Sequence, residues 1–201
     1  MKEDILEQLV DDYLQANGYF TKHNEKFRPL KDDRYVSKKD SGYSDIDVIG
    51  IHPYHKGSRR IKVVNCKSWQ SGIKLDQWFS KIKEKKGINH NRKEAWKMFR
   101  ELANQKWADG FISRIKKLTG SYRFTYVIAG TEIIGNQSKW RNDKEFKKNL
   151  HGNPIEFLTV KDILDYMHKN TSKTVAPSDV GRLLQVINAS KWMKNMNEIE
   201  I

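Results

Sequence analysis

Apolar residues recur at helical spacing at the start of the chain. Residues 2–17 carry them three or four positions apart, which predicts an amphipathic helix with one apolar face. These apolar positions are Ile5, Leu6, Leu9, Val10, Tyr13 and Leu14. Asn17 and Gly18 then provide a helix stop signal. Glu7 stands beside the apolar stripe, whereas most other acidic residues of this segment decorate its polar side.

Short β-branched runs separated by polar turns predict strands after this helix. We expect an edge strand over residues 19–27 and a polar loop over 28–42. Two further strands follow over 45–51 and 60–67, and only the turn at 52–58 separates them. Such a short connection predicts that these two strands pair as an antiparallel hairpin.

Helical and strand patterns alternate in the second half of the chain. Apolar and basic residues at helical spacing predict helices within 75–118, and a buried strand follows over 122–129. The series continues with a short basic helix over 139–150, a strand over 155–159 and a helix over 160–168. This alternation predicts an α/β or α+β fold in which helices flank a sheet.

The C-terminal segment has a helical pattern of its own. Residues 171–190 predict two short helices joined by a turn, and Ser178 is a good N-cap for the second. Such a pair is either a helix-turn-helix reader of DNA or a packing appendage, and the appendage is favoured because no base-reading side chains stand out. We therefore expect a main domain over residues 1–169 and a C-terminal helical segment over 170–201, which can belong to the same domain.

The net charge narrows the range of partners. The 201 residues include 38 lysines and arginines against 25 acids, which gives a net charge of +13. A basic excess this large is typical of proteins that bind a polyanion, and 37% hydrophobic residues are too many for a disordered chain. Nucleic acid is favoured over a membrane because no apolar run approaches the roughly 18 residues of a bilayer span.

Cysteine and histidine usage excludes two kinds of site. The single cysteine, Cys66, excludes an internal disulfide and a cysteine-rich zinc site. The six histidines show no paired ligand spacing, so structural zinc is not expected. The charged N-terminal segment does not resemble a signal peptide, and we expect a cytoplasmic protein.

Polar residues two positions apart mark the two strands of the predicted hairpin. Asp45 and Asp47 share one face of the first strand, and Asn65 and Lys67 share one face of the second. If the strands are neighbours, carboxylates and an ammonium converge at the strand ends. Oxygen ligands suit magnesium or manganese, which activates water for phosphodiester hydrolysis, and a nearby lysine can orient that water.

This order of elements resembles the restriction-endonuclease-like superfamily, the PD-(D/E)XK nucleases, and in particular its Mrr-like and Holliday-junction-resolvase-like branches. The resemblance covers roughly residues 3–80 and the strand at 122–129. It implies a restriction-endonuclease-like α/β/α core and a magnesium- or manganese-dependent endonuclease that hydrolyses DNA. It also implies that the protein can act as a homodimer or as a component of a defence or recombination complex.

The resemblance also assigns roles to individual residues. The glutamate of the family's first helix maps onto Glu7, and the motif aspartate maps onto Asp47, with Asp45 as an alternate or helper. The lysine of the (D/E)-x-K tripeptide maps onto Lys67. Cys66 takes the middle position of the tripeptide, whose carbonyl oxygen binds metal in the family. Its thiol is expected to be a buried structural group on the face opposite Lys67, since no histidine is paired with it.

Asn65 departs from the family pattern because it stands where the tripeptide begins with an acid. A neutral amide oxygen is a weaker magnesium ligand than a carboxylate. Three explanations remain open: an acid displaced in sequence replaces it, the site is degenerate and leaves a DNA-binding or scaffolding module, or the chain is an inactive variant. The candidates for a displaced acid are Glu7, Asp45, Asp76 and Glu84.

Residues that follow the lysine are candidates for contact with nucleic acid. Gln70 and Gln77 occupy positions where relatives often have polar residues near the scissile phosphate, although exposed glutamines are an equal interpretation. Trp69 and Trp78 can stack on bases, but a place in the core is favoured. Basic residues of the helical region can grip phosphates or simply form a solvated face: Lys81, Lys83, Lys85, Lys86, Arg92 and Lys93.

Overall fold

A five-stranded mixed sheet forms the centre of the protein. The structure is a computed structural model that describes residues 4–32, 34–84, 89–90, 93–170 and 178–190. Its strands are β1 (Phe20–Phe27), β2 (Ser44–Ile51), β3 (Ile61–Lys67), β4 (Ile73–Lys74), β5 (Asn89–His90), β6 (Lys93–Glu94), β7 (Thr125–Gly130), β8 (Ile133–Ile134) and β9 (Ile155–Thr159). The central sheet has the order β1-β2-β3-β7-β9, and the four remaining strands form two small pairs.

Helices cover the central sheet. They are α1 (Ile5–Ala16), α2 (Ser37–Asp40), α3 (Leu75–Glu84), α4 (Arg100–Ala103), α5 (Gln105–Thr119), α6 (Gln137–Asn142), α7 (Lys144–Asn149), α8 (Val160–Lys169) and α9 (Asp179–Ala189). Two 3₁₀ turns lie at Gly57–Arg60 and Ala95–Phe99. The predicted α/β class, with a mixed sheet flanked by helices, is confirmed. In the part of the chain that the structure describes, none of the helices has the length and apolar character needed to cross a bilayer.

The strand directions follow from the lengths of the connections. The hairpin predicted from the short turn is confirmed, because β2 pairs antiparallel with β3 from Val48–Val64 to Ile51–Ile61. β1 pairs antiparallel with β2 at the edge of the sheet, as predicted. β3, β7 and β9 are parallel, and helices connect them. All six residues of β7 are buried, as expected of a largely apolar central strand with parallel neighbours.

Each face of the sheet has its own hydrophobic core. The first core packs α3 to α7 against the face that carries Ile61 and Val63, and we call it the α5-side core. The second packs α1 and α8 against the face that carries Val64 and Val127, and we call it the α1-side core. The apolar stripe predicted for the first helix lies in this second core, where Val10 is completely buried. Successive residues of β3 therefore face different helices, which fixes where its polar end residues point.

Three predicted segments differ in detail from the structure. The predicted basic helix over 139–150 is two helices, because Asp143 adopts an extended conformation and caps α7 by accepting a hydrogen bond from the Phe146 N–H at 2.9 Å. The predicted loop over 28–42 contains the short helix α2. The helical region over 75–118 includes the β5–β6 pair, in which two residues of each strand pair instead of continuing the helix.

The C-terminal helix packs on the main domain. Ser178 caps α9 as predicted, since its Oγ accepts from the Gly181 N–H at 2.9 Å. Val180 and Leu184 pack against the α1-side core, and the Ser178 hydroxyl donates to Asp12 of α1. The first helix predicted in 171–190 lies largely at residues 171–177, outside the described residues. The described part of this segment behaves as a packing appendage, and the domain boundary at residue 169 stays a prediction.

Trp140 provides a test of the α5-side core. It is fully buried, its indole N–H donates to the Leu75 carbonyl at 3.0 Å, and its ring lies 5.2 Å from that of Phe99. We expect Trp140→Phe to lower the free energy of unfolding by about 2 kcal/mol, because a buried hydrogen bond and part of the ring volume are lost. Urea denaturation measures this change. Tyr54→Ala is the control, since Tyr54 is 86% exposed, and an equal loss in both variants would contradict the prediction.

Candidate active site

The predicted motif residues meet where β2 and β3 separate. Backbone pairing of the two strands ends at Val48 and Val64. Beyond that pair the Asp47 side chain links the two strands, because its carboxylate Oδ2 accepts a hydrogen bond from the Cys66 N–H at 2.6 Å. The aspartate therefore replaces a backbone carbonyl as the partner of β3. The two motif strands are joined at the predicted site by a side chain.

β2 changes face at Asp47. Ile46 lies in the α5-side core and Val48 in the α1-side core, although strict alternation would place both on one face. On the neighbouring strand, Asn24 stands opposite this point with a φ of 53°, in the left-handed region. The pairs on either side of it keep one register, and Asn24 and Asp47 form no pair between them. This irregularity turns the Asp47 carboxylate toward the end of β3.

Lys67 lies against the same strand end. Its ammonium donates to the Asn65 side-chain oxygen and, at 3.2 Å, to the Cys66 carbonyl. The same nitrogen lies 5.5 Å from the centre of the Phe99 ring, in the α5-side core. Cys66 packs instead against the α1-side core, so its side chain and that of Lys67 lie on opposite faces as predicted.

Burial is the main cause of the raised pKa values of Asp47 and Cys66. Burial raises the pKa of the Asp47 carboxyl, the Lys67 ammonium and the Cys66 N–H oppose this, and the nearby Glu101 and Asp45 add to it. Burial also raises the pKa of the Cys66 thiol well above its ordinary value, and Asp47 and Glu7 raise it further. The thiol is therefore protonated at neutral pH. This protonation supports the expectation that Cys66 is a structural residue and not a nucleophile.

The start of α1 is attached to the end of β3. Asp4 caps α1 by accepting from the Leu6 N–H at 2.8 Å, and its other oxygen accepts from the Ser68 hydroxyl at 2.5 Å. Ser68 follows Lys67 directly, so this pair of contacts places the first turn of α1 beside the motif. Glu7 lies in that turn and acts electrostatically on the Cys66 thiol. Asp45 is exposed at the start of β2.

The acid beside Asn65 is Glu101, a residue that the sequence did not single out. The Asn65 amide N–H donates to Glu101 Oε1 at 2.9 Å, and the Tyr126 hydroxyl donates to the same oxygen. Glu101 lies in α4 and is only 2% exposed. Of the four predicted candidates, Asp76 lies elsewhere, where it accepts from the Asn136 N–H at 3.3 Å. The one signal in the sequence was an acid next to apolar residues, which is weak evidence by itself.

The oxygen atoms of the motif are of the chemical kind that magnesium and manganese take as ligands. In an extended strand the N–H and C=O of one residue point to the same side, so the Cys66 carbonyl faces β2, as the N–H bound by Asp47 does. A carboxylate and a carbonyl thus lie side by side. Magnesium commonly takes one or two carboxylates and keeps several waters. Among the described residues, no group of three or more histidines, cysteines and acids has metal-binding geometry, so any ion here depends on few protein ligands.

The predicted nucleic-acid contacts have different environments. Gln70 and Gln77 are exposed, and the Lys81 ammonium lies 5.2 Å from the Trp78 ring centre. The Lys83 ammonium donates to Asp143 at 2.6 Å and to Glu145 at 3.1 Å, so its charge is neutralised within the protein. Three candidates and one side chain lie outside the described residues: Lys85, Lys86, Arg92 and the side chain of Lys93.

The two tryptophans near the motif lie in or against the α5-side core. Trp69 and Trp78 stack on each other with ring centres 4.5 Å apart. Trp78 is 5% exposed and lies in the α5-side core, and Trp69 packs against that core while partly exposed. The interpretation of these residues as core is confirmed for Trp78.

The buried Asp47 carboxyl predicts a pH dependence of stability. Its folded pKa is raised above the ordinary 3.8, so the unfolded chain releases this proton first and stability falls as pH rises from about that value. We expect Asp47→Asn to stabilise the metal-free protein at about pH 7, with a gain that shrinks toward about pH 3. Thermal unfolding of both proteins across this range measures it.

Asp165→Asn is a control of opposite sign for this experiment. The hydrogen bond from Lys161 lowers the pKa of the exposed Asp165 carboxyl, so its contribution to stability is lost as pH falls and the variant is slightly less stable at neutral pH. A stability difference between Asp47→Asn and the wild type that stays constant with pH would contradict a raised pKa of the Asp47 carboxyl.

The arrangement joins one carboxylate, one carbonyl and one ammonium at a strand end. Carboxylate and carbonyl oxygens are ligands that magnesium takes, and an ammonium can pair with a phosphate oxygen. Comparisons of the chain with protein-family models, with curated proteins and with solved structures found no match.

Proposed function

We propose that the protein is a divalent-metal-dependent endonuclease that hydrolyses phosphodiester bonds of DNA. The observation that carries the proposal is the contact between the Asp47 carboxylate and the Cys66 N–H, with the Lys67 ammonium on the Cys66 carbonyl. Beyond the Val48–Val64 pair, where backbone pairing ends, this contact holds the two strands together. The resemblance of the motif to the restriction-endonuclease-like superfamily supports the same function.

The residues of the site have separate roles in this proposal. Asp47 and the Cys66 carbonyl would hold magnesium or manganese, which when bound activates a water and offsets negative charge on the phosphate. The Lys67 ammonium, anchored by two oxygens, would donate a hydrogen bond to a phosphate oxygen or to the attacking water. Glu7, beside the motif in α1, and the exposed Asp45 are available as helpers.

DNA is the proposed partner because of the net charge of +13. Part of the basic charge is used inside the protein: Lys83 binds two acids, Lys106 binds Asp40, and Arg114 binds Glu25. The remaining excess is available to phosphates. Binding that depends on such charges weakens steeply as salt concentration rises, through release of counterions.

A DNA-binding protein without catalytic activity is the second candidate. It is favoured by Asn65, which places a neutral amide where the family has a carboxylate. It is also favoured by the Lys67 ammonium, which already donates to the Asn65 oxygen and to the Cys66 carbonyl. Under this alternative, DNA binding depends on salt but is indifferent to magnesium and to Asp47→Ala.

Loss of the motif charges tests the proposed function. We expect Asp47→Ala and Lys67→Ala each to lower cleavage of DNA with magnesium or manganese by about 100-fold or more, because ion binding or phosphate stabilisation is removed. The measurement is nicking of supercoiled plasmid. Asp179→Ala and Lys161→Ala are matched controls on exposed side chains, 97% and 81% accessible. Full cleavage by both motif variants would refute this site.

Lys81 and Lys83 of α3 test whether a lysine that acids of the protein already bind contributes to DNA binding. We expect Lys81→Ala to weaken DNA binding about threefold and to lower the salt dependence by about one counterion. Lys83→Ala should leave the salt dependence unchanged, because Asp143 and Glu145 already bind its ammonium. Fluorescence anisotropy of a labelled duplex at several salt concentrations measures both. The same change in slope for both variants would place Lys83 on the DNA-facing surface instead.

A further inference from the structure

A chain of polar side chains runs from the interior to the motif lysine. The Tyr126 hydroxyl donates to Glu101, the Asn65 amide donates to the same Glu101 oxygen at 2.9 Å, and the Asn65 oxygen accepts from Lys67. Tyr126 is completely buried and Glu101 nearly so. Three elements that are distant in sequence, β3, α4 and β7, are connected through these contacts.

The hydrogen-bond donors and acceptors that link Tyr126 to Lys67 can be arranged in only one order. A carboxylate only accepts hydrogen bonds, an ammonium only donates them, and an amide has one end of each kind. Glu101 therefore requires the nitrogen end of Asn65, and this leaves the oxygen end for Lys67. A carboxylate at position 65 would place two acceptors against each other in a buried site, which is unfavourable.

We infer that Glu101 is a positioning residue of the proposed active site, and that it acts through Asn65 to hold the Lys67 ammonium. The expected effect of Glu101 on catalysis rests on the proposed function. The tripeptide lacks a carboxylate at position 65, and the carboxylate of Glu101 in α4 contacts the side chain at that position. Because Glu101 is 2% exposed and its Oε1 accepts from Asn65 and Tyr126, it does not reach the substrate.

Exchange of the amide and the carboxylate between positions 65 and 101 tests this inference. In metal-free protein we expect Asn65→Asp and Glu101→Gln each to lower Tm by about 5 °C. The first change leaves two acceptors facing each other, and the second replaces two charge-assisted hydrogen bonds with neutral ones. The double variant restores the order, since the introduced glutamine amide can donate to the introduced aspartate and accept from Tyr126. Its Tm should return to within about 2 °C of the wild type. Asn142→Asp, the same change at an exposed asparagine, should leave Tm unchanged.

Two further measurements report on Lys67 and not only on stability. The ammonium signal of Lys67 in ¹H–¹⁵N spectra should be visible in the wild type and the double variant, and broadened by solvent exchange in Glu101→Gln. Cleavage of DNA should fall at least about tenfold in each single variant and recover to within about tenfold of the wild type in the double variant.

Losses of Tm that simply add in the double variant would overturn the inference. So would recovery of Tm without recovery of the Lys67 signal, because Glu101 would then be only a structural residue. Higher cleavage by Asn65→Asp alone would overturn it as well. If the wild type cleaves no DNA with either metal, the proposed function fails, whereas the Tm and Lys67 measurements still decide the inference.

Discussion

The hydrogen bond from the Cys66 N–H to the Asp47 carboxylate decides the geometry of the candidate site. Backbone pairing of β2 and β3 ends at Val48 and Val64, and beyond that pair this bond links the aspartate to β3. The bond places a charged group where burial raises its pKa. Burying such a group lowers the stability of the fold. Functional sites commonly retain groups of this kind because their activity needs them.

The sequence predicted the parts of this arrangement that depend on local pattern. Period-two alternation placed Asp47 and Lys67 on strands, and a short turn made those strands a hairpin. The first helix and the edge strand followed from the same kind of evidence. These features depend on residues within one element or in adjacent elements, where spacing along the chain is close to spacing in the fold.

Glu101 could not be predicted because its role is created by packing. It is 36 residues from Asn65 along the chain, in a four-residue helix with no periodicity of its own. Lys83 illustrates the same limit: nothing in a lysine-rich helix shows that Asp143 and Glu145, some 60 residues later, bind its ammonium. Only the arrangement of α4, α6 and α7 on the sheet brings these partners together.

The missing pairing between Asn24 and Asp47 has a consequence at the outer edge of the sheet. β1 is an edge strand, and a long, regular edge invites pairing with another chain. At Asn24 the left-handed backbone interrupts the regular spacing of hydrogen-bonding groups along this edge. Lys22 and Lys26 are exposed on either side of the interruption and add charge that opposes a second strand. The irregularity that turns Asp47 toward β3 therefore also makes this open edge less suited to pairing with a second strand.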